Sequence, residues 1–324
     1  SSAGDVNGDG FDDLIVGAFG DDPNGSSSGA SFVVFGKTDG IAVELSAVEA
    51  GTGGFVINGV SGRDYSGDSV SMAGDVNGDG FDDLIVGAPF DDPNGSFSGA
   101  SFVVFGKTDG TAIELSDVEA GAGGFVINGV SASDKSGYSV SSAGDVNGDG
   151  FDDLIVGAPL DDPNGSFSGA SFVVFGKTDG TAIELSDVEA GAGGFVINGV
   201  SASDKSGYSV SSAGDVNGDG FDDLIVGAPF DAPNGSNSGA SFVVFGKTDG
   251  TEVELSEVEA GVGGFVINGV SAGDRSGFSV SSAGDVNGDG FDDLIVGAPR
   301  DDPNGSYSGA SFVVFGKTDG TAVE

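Results

Sequence analysis

The stretch Asp5-Val6-Asn7-Gly8-Asp9-Gly10-Phe11-Asp12-Asp13 places side-chain oxygens at its first, third, fifth and ninth positions. The glycine at the sixth position permits the tight turn that would fold those oxygens round one centre. The donors are hard: carboxylates, an amide and a backbone carbonyl, the kind that Ca²⁺ gathers in sets of about six to eight at roughly 2.3–2.6 Å. Asp5, Asn7, Asp9 and Asp13 would supply side-chain oxygens and Phe11 its carbonyl, while Asp12 is expected to point away into solvent. The same residues recur four more times along the chain. The further candidate ligands are Asp75, Asn77, Asp79, Phe81 and Asp83; Asp145, Asn147, Asp149, Phe151 and Asp153; Asp215, Asn217, Asp219, Phe221 and Asp223; and Asp285, Asn287, Asp289, Phe291 and Asp293. A metal-free hairpin is the plain alternative, and five intact copies at ligand spacing weigh against it. The chain has neither His nor Cys, which disfavours a softer transition metal.

An EF-hand or dockerin loop needs an acid at its twelfth position and a helix after it. Here that position holds Val16, Val86, Val156, Val226 and Val296, inside an apolar Leu-Ile-Val run that reads as a strand. Neither motif fits.

The elements that must position these loops are organised by repetition. Units begin at residues 1, 71, 141, 211 and 281, a constant spacing of 70, and the last begun stops at Glu324. Residues 71–140 and 141–210 differ only at Met72/Ser142 and Phe90/Leu160. No linker or composition shift interrupts them, so residues 1–324 read as one repeat domain. In the third copy, Tyr138–Ala143, Leu154–Ala158, Ala170–Gly176 and Gly194–Val200 are candidate strands, rich in β-branched or aromatic residues apart from the first. Pro163-Asn164-Gly165-Ser166 and Thr178-Asp179-Gly180 supply turns, and Leu185–Ala190 one helical turn with Ser186 as its N-cap. Four short strands per unit, unable to bury both faces of one sheet alone, describe the blades of an all-β propeller. An open or helical array of the same units is the alternative.

Asp145 to Asp153 followed by Leu154-Ile155-Val156-Gly157-Ala158-Pro159 resembles the FG-GAP repeat of integrin α chains and many bacterial surface proteins. The resemblance recurs in every unit. It implies one calcium per blade, in the hairpin loop between the first and second strands. Two departures leave the ligands untouched: Ser136 precedes Gly137 where the family has Phe, and Phe19 replaces the Pro of the other copies. The family's propeller has seven blades, whereas this chain holds four complete units and part of a fifth.

Composition supports a cation as partner. With 52 Asp+Glu against 10 Lys+Arg the formal net charge is −42, which repels nucleic acid and anionic membranes. No apolar run is long enough to span a bilayer. Without His or Cys the usual nucleophile–base pairs are missing, so no enzyme is expected. Asp21-Asp22 and its copies read as solvated turns, the more so because Ala232 replaces the second acid in one of them. Asn24, Asn94, Asn164, Asn234 and Asn304 head Asn-Gly-Ser sequons that a hairpin turn explains fully, and Asp204 and Asp274 are expected to cap turns. The resulting expectation is a calcium-binding scaffold or adhesion module outside the cell or on its surface. A calcium-dependent lectin and a protomer of a self-assembling filament are the alternatives, with partners that are another surface protein, a glycan or further copies of the chain. The filament idea rests on the unit that stops at Glu324, whose fourth strand would be missing and whose edge another chain could fill. The opening Ser1-Ser2-Ala3-Gly4-Asp5 is no signal peptide, consistent with a targeting segment removed or a piece of a longer chain.

Overall fold

A computed structural model describes all 324 residues. The first repeat forms β1 (Ser2–Gly4), β2 (Asp13–Ala18), β3 (Ala30–Val34), the helical turn α1 (Leu45–Glu49) and β4 (Gly54–Asn58). The second forms β5 (Ser69–Gly74), β6 (Asp83–Ala88), β7 (Ala100–Val104), β8 (Ile113–Glu114), α2 (Leu115–Glu119) and β9 (Gly124–Asn128). The third forms β10 (Ser139–Gly144), β11 (Asp153–Ala158), β12 (Ala170–Val174), β13 (Ile183–Glu184), α3 (Leu185–Glu189) and β14 (Gly194–Asn198). The fourth repeats this as β15 (Ser209–Gly214), β16 (Asp223–Ala228), β17 (Ala240–Val244), β18 (Val253–Glu254), α4 (Leu255–Glu259) and β19 (Gly264–Asn268). The fifth contributes β20 (Ser279–Gly284), β21 (Asp293–Ala298) and β22 (Ala310–Val314).

The chain divides into two compact units, Ser1–Ser142 with Gly176–Ser186 and Ala143–Phe175 with Asp187–Glu324. In the first, one sheet runs β1-β2-β3-β4-β8 and the other β5-β6-β7-β9-β13. In the second, β15-β16-β17-β19 form one sheet and β20-β21-β22 another, while β11, β12, β14 and β18 keep the same order. The four long strands of a blade are antiparallel, and their register is the same from copy to copy: Leu154 faces Val174 and Ala158 faces Ala170, as Leu224 faces Val244 and Ala228 faces Ala240. The fold is all-β, built of the four-stranded blades that the periodicity demands.

The central strands β6, β11 and β16 are buried throughout, which is why they are almost continuously apolar, whereas Leu14 and Val16 of the first blade and Ile295 and Val313 of the fifth are exposed. Successive residues of a strand point to opposite faces. Ile15, Val33, Phe55 and Ile57 of the first blade therefore pack against Leu84, Val86, Phe102 and Val104 of the second. In the second unit Ile155, Val173, Phe195 and Ile197 meet Leu224, Val226, Phe242 and Val244 in the same way. The helical turns add Leu115 with Val118 and Leu255 with Val258 to these layers.

Two features differ from the sequence expectation. The helical turn begins at Leu185, so Ser186 lies inside it and is not its N-cap. In the matching turns the N-cap is Glu114 or Glu254, with no side-chain cap hydrogen bond. The second feature is the two-residue strand before each of these turns. β8 pairs in parallel with β4, Ile113 opposite Ile57 and Glu114 opposite Asn58, and β13 and β18 do the same for β9 and β14, so these three blades are finished by a piece of the following repeat.

Candidate metal-binding loops

Each nine-residue motif is the hairpin loop joining the first two strands of its repeat, as the resemblance implies. The loop is wound by its own side chains. Asp145 accepts hydrogen bonds from the N–H of Gly148 at 2.7 Å and Asp149 at 3.0 Å through Oδ1, and from Gly150 at 2.9 Å through Oδ2. Asn147 Oδ1 accepts from Asp149 N–H at 2.8 Å, and Asp149 Oδ1 from Phe151 N–H at 3.0 Å. The left-handed turn falls on glycine, with φ of +76° at Gly148 and +92° at Gly150. The ninth residue closes the loop from inside: Asp153 Oδ2 accepts from Val146 N–H at 3.1 Å, and Asn147 Nδ2 donates to the same carboxylate at 3.2 Å.

Asp13, Asp83, Asp153, Asp223 and Asp293 are all fully buried, although each is an acid. A backbone N–H from the third strand's end meets four of them, from Gly36, Gly106, Gly246 and Gly316 at 2.7 to 3.0 Å. Burial nevertheless pushes the Asp83 carboxyl up to about 8, and the neighbouring charges of Asp79 and Asp75 add to the push. Asp13 rises to about 6 and Asp223 to about 7 for the same leading reason. No lysine or arginine balances this charge, because every ion pair in the chain joins a lysine to the aspartate two residues on, as in Lys107–Asp109 and Lys177–Asp179.

Three acidic side chains of one loop are not drawn together closely enough to hold an ion as they stand, since their oxygens serve the loop's N–H groups. The donor set still fits a hard cation: oxygen only, three carboxylates and an amide per loop, with lone pairs beyond those the N–H groups use.

The eighth residue departs from expectation. Asp12 is exposed, as anticipated, but its counterparts are not free in solvent. Asp82 Oδ2 accepts a 2.7 Å hydrogen bond from the N–H of Asp5, the first residue of the preceding loop. Asp222 does the same for Asp145 at 2.9 Å, and Asp292 for Asp215 at 3.0 Å. The reason is geometric: residues 82 and 83 point to opposite sides of the strand end, and the side away from the loop's own centre is occupied by the repeat before it.

The weaker sequence signals resolve as turns. Asp92 Oδ1 accepts from Phe97 N–H at 2.6 Å, and Asp91 Oδ1 from Asp92 N–H at 2.8 Å. Asp204 and Asp274 each accept from the N–H three residues back, Ser201 and Ser271, at 2.9 Å. The sequon asparagines lie in turns as expected, but they also bind a residue that sequence reasoning overlooked. Glu114, Glu184 and Glu254 each hold two asparagines of the previous repeat: Asn24 with Asn58, Asn94 with Asn128, and Asn164 with Asn198. The available signal was a glutamate kept at one position of every copy beside apolar neighbours.

Stacked four-stranded blades with an Asp/Asn/Gly loop after the first strand define an integrin-α-like repeat protein. The family model for the FG-GAP repeat matches residues 1–34, 59–104, 136–174, 206–244 and 276–314, more than half of the chain. The chain belongs to the FG-GAP repeat family. Among its relatives are integrin alpha pat-2 of Caenorhabditis elegans, 32% identical over 240 residues, covering 70% of this chain and 17% of the relative. Integrin alpha-5 of Xenopus laevis is 30% identical over 260 residues, covering 77% and 21% respectively. Integrin alpha-V of Gallus gallus is 29% identical over 241 residues, covering 72% and 20%. The chain thus spans about a fifth of the length of these curated relatives. No helix is long and apolar enough to cross a membrane.

Proposed function

We propose that this chain is an extracellular adhesion or scaffold module whose repeats each bind one Ca²⁺ in the loop after the first strand. The observation that carries this reading is the buried ninth-position aspartate, crowded by two acids of its own loop with no basic side chain to offset them. Bound there, Ca²⁺ supplies the missing positive charge. Asp145, Asn147, Asp149, Asp153 and the Phe151 carbonyl, with their counterparts, are the residues that hold it. About three negative charges and a backbone ligand per loop correspond to affinities in the micromolar to millimolar range of extracellular modules. The net charge and the likeness to integrin α chains support an extracellular setting and a binding role without catalysis.

The test is metal content and thermal melting. About one Ca²⁺ per loop and a melting temperature lowered by chelator are expected. Unchanged melting in chelator, or content well below one per loop, contradicts the reading.

A carbohydrate-binding reading has one observation in its favour. Tyr65 lies tilted against Phe90 with ring centroids 4.9 Å apart, Lys135 sits over the Phe90 ring at 4.3 Å, and Tyr208 lies tilted against Phe278 at 4.9 Å. Tyr65 and Tyr208 are therefore each gathered with other rings, an aromatic cluster whose polar edge could meet a sugar's hydroxyls. Reproducible binding to a defined sugar on a glycan array, in calcium, would establish it.

A further inference from the structure

We propose that Asp82, Asp222 and Asp292, the eighth residues of their loops, are positioning groups for the loop of the preceding repeat, so that these neighbouring loops bind Ca²⁺ cooperatively. This inference rests on the calcium reading above and concerns how the loops are regulated.

The second unit shows the linkage twice. Asp222 lies between two candidate ligands of its own loop, the carbonyl of Phe221 and the carboxylate of Asp223. Its Oδ2 accepts the N–H of Asp145, the residue that opens the preceding loop. The Phe221 ring covers Gly148 of that loop so closely that a methyl group there would come within 2.5 Å of it. A second tie runs through adjacent backbone groups: Gly246 N–H donates to Asp223 Oδ1 at 2.9 Å, and Lys247 N–H to the Val146 carbonyl at 2.8 Å. One strand end thus grips two loops. Asp292 repeats the first tie on Asp215, and Phe291 lies over Gly218. In the first unit Asp82 holds Asp5, Phe81 covers Gly8, and Lys107 N–H donates to the Val6 carbonyl at 2.8 Å.

These contacts join the groups that a loop must order when it closes. Closing residues 215–223 round an ion fixes Phe221 and Asp223, and with them Asp222 between. Asp222 then holds the backbone of Asp145, whose side chain begins the next donor set. Ordering the first loop therefore removes part of the ordering cost of the second, which is positive coupling without a change of fold. By linkage the effect is reciprocal: filling residues 145–153 favours filling residues 215–223 by the same factor. A factor of about five to ten is expected, at the low end of ordinary coupling between sites.

Calorimetric calcium titration of the whole chain, with metal content measured in parallel, tests this. The parent should fill about one ion per loop, with a Hill coefficient above one. Asp222→Ala should keep the stoichiometry, weaken one loop about five- to tenfold and lower the Hill coefficient. Asp222→Asn retains an acceptor oxygen and should restore most of the affinity. Asp12→Ala, at the exposed position that holds no preceding loop, should leave the isotherm unchanged. Asp219→Asn, which replaces a carboxylate ligand of one loop by a weaker, uncharged amide oxygen, should also weaken the loop at residues 145–153. If Asp222→Ala does not fold, Asp222→Asn and Asp219→Asn still decide. Independent, identical sites at full stoichiometry, or an Asp219→Asn chain that loses one ion and leaves the other affinities intact, overturn the coupling. A parent that takes up no Ca²⁺ overturns the calcium reading itself, and the coupling with it.

Discussion

Glu184 accepts a 2.8 Å hydrogen bond from the side-chain amide of Asn94, a residue 90 positions earlier in the chain. Its other oxygen accepts from Asn128 at 2.7 Å, and the second hydrogen of Asn94 goes to the Gly129 carbonyl at 2.9 Å. One half-buried carboxylate therefore clasps the turn and the outer strand of the preceding blade, beside the parallel pairing of Ile183 with Ile127. Bonds to a charged acceptor are worth more than neutral ones. Glu184→Ala should cost about 1–3 kcal/mol of stability, and Glu184→Gln less, in denaturant titration. A neutral Glu184→Ala would show that the clasp is solvated and idle.

The same clasp bears on the sequons. Both hydrogens of the Asn164 amide are engaged, one with Gly199 O at 2.9 Å and one with Glu254 at 2.8 Å. A glycan on that nitrogen replaces one hydrogen and breaks one bond. A chain glycosylated at Asn164 should therefore melt below its deglycosylated form. Equal melting of the two forms would contradict this.

Gly148 and Gly150 separate two costs. Both have positive φ, but a methyl at Gly148 meets the Phe221 ring whereas one at Gly150 meets nothing within 4 Å. Gly150→Ala should cost about 1–2 kcal/mol for left-handed backbone alone. Gly148→Ala should cost more, since the ring must move as well. Denaturant midpoints that rank the two equally, or in the reverse order, would show that the ring yields freely.

Away from the loops, burial pushes the carboxyls of Asp64 and Asp204 up to about 6, reinforced by Asp91 and Asp231 respectively. Their unfolded value is near 3.8. Between those limits the folded chain binds more protons than the unfolded one, so stability falls as pH rises towards about 6 and stays low above it. The calcium-free chain should therefore melt higher at about pH 5 than at about pH 7.5, and Asp204→Asn should flatten part of that slope. A melting temperature that falls on acidification over this range would count against the buried-acid account.

Much of the molecule is legible in the chain alone. The Asp-x-Asn-Gly-Asp-Gly loop, the Leu-Ile-Val strand after it and the Asn-Gly turns follow from local rules of turn chemistry and strand composition, and the period of 70 says that the units stack. Those rules act within a few residues, so they place the hairpin and its oxygen donors. They could not say where Asp82 or Glu184 would look. Adjacent acids such as Asp82 and Asp83 are alike in sequence, and only the register of the strand turns one inward and the other towards Asp5, 77 residues away. Near-identity of the repeats hides such partners further, because every copy offers the same groups and nothing in the sequence tells a contact within a repeat from one with its neighbour. Blade stacking breaks that degeneracy: it sets the outer strand of one repeat beside Glu114 or Glu184 of the next, and leaves the eighth loop residue facing the loop before it.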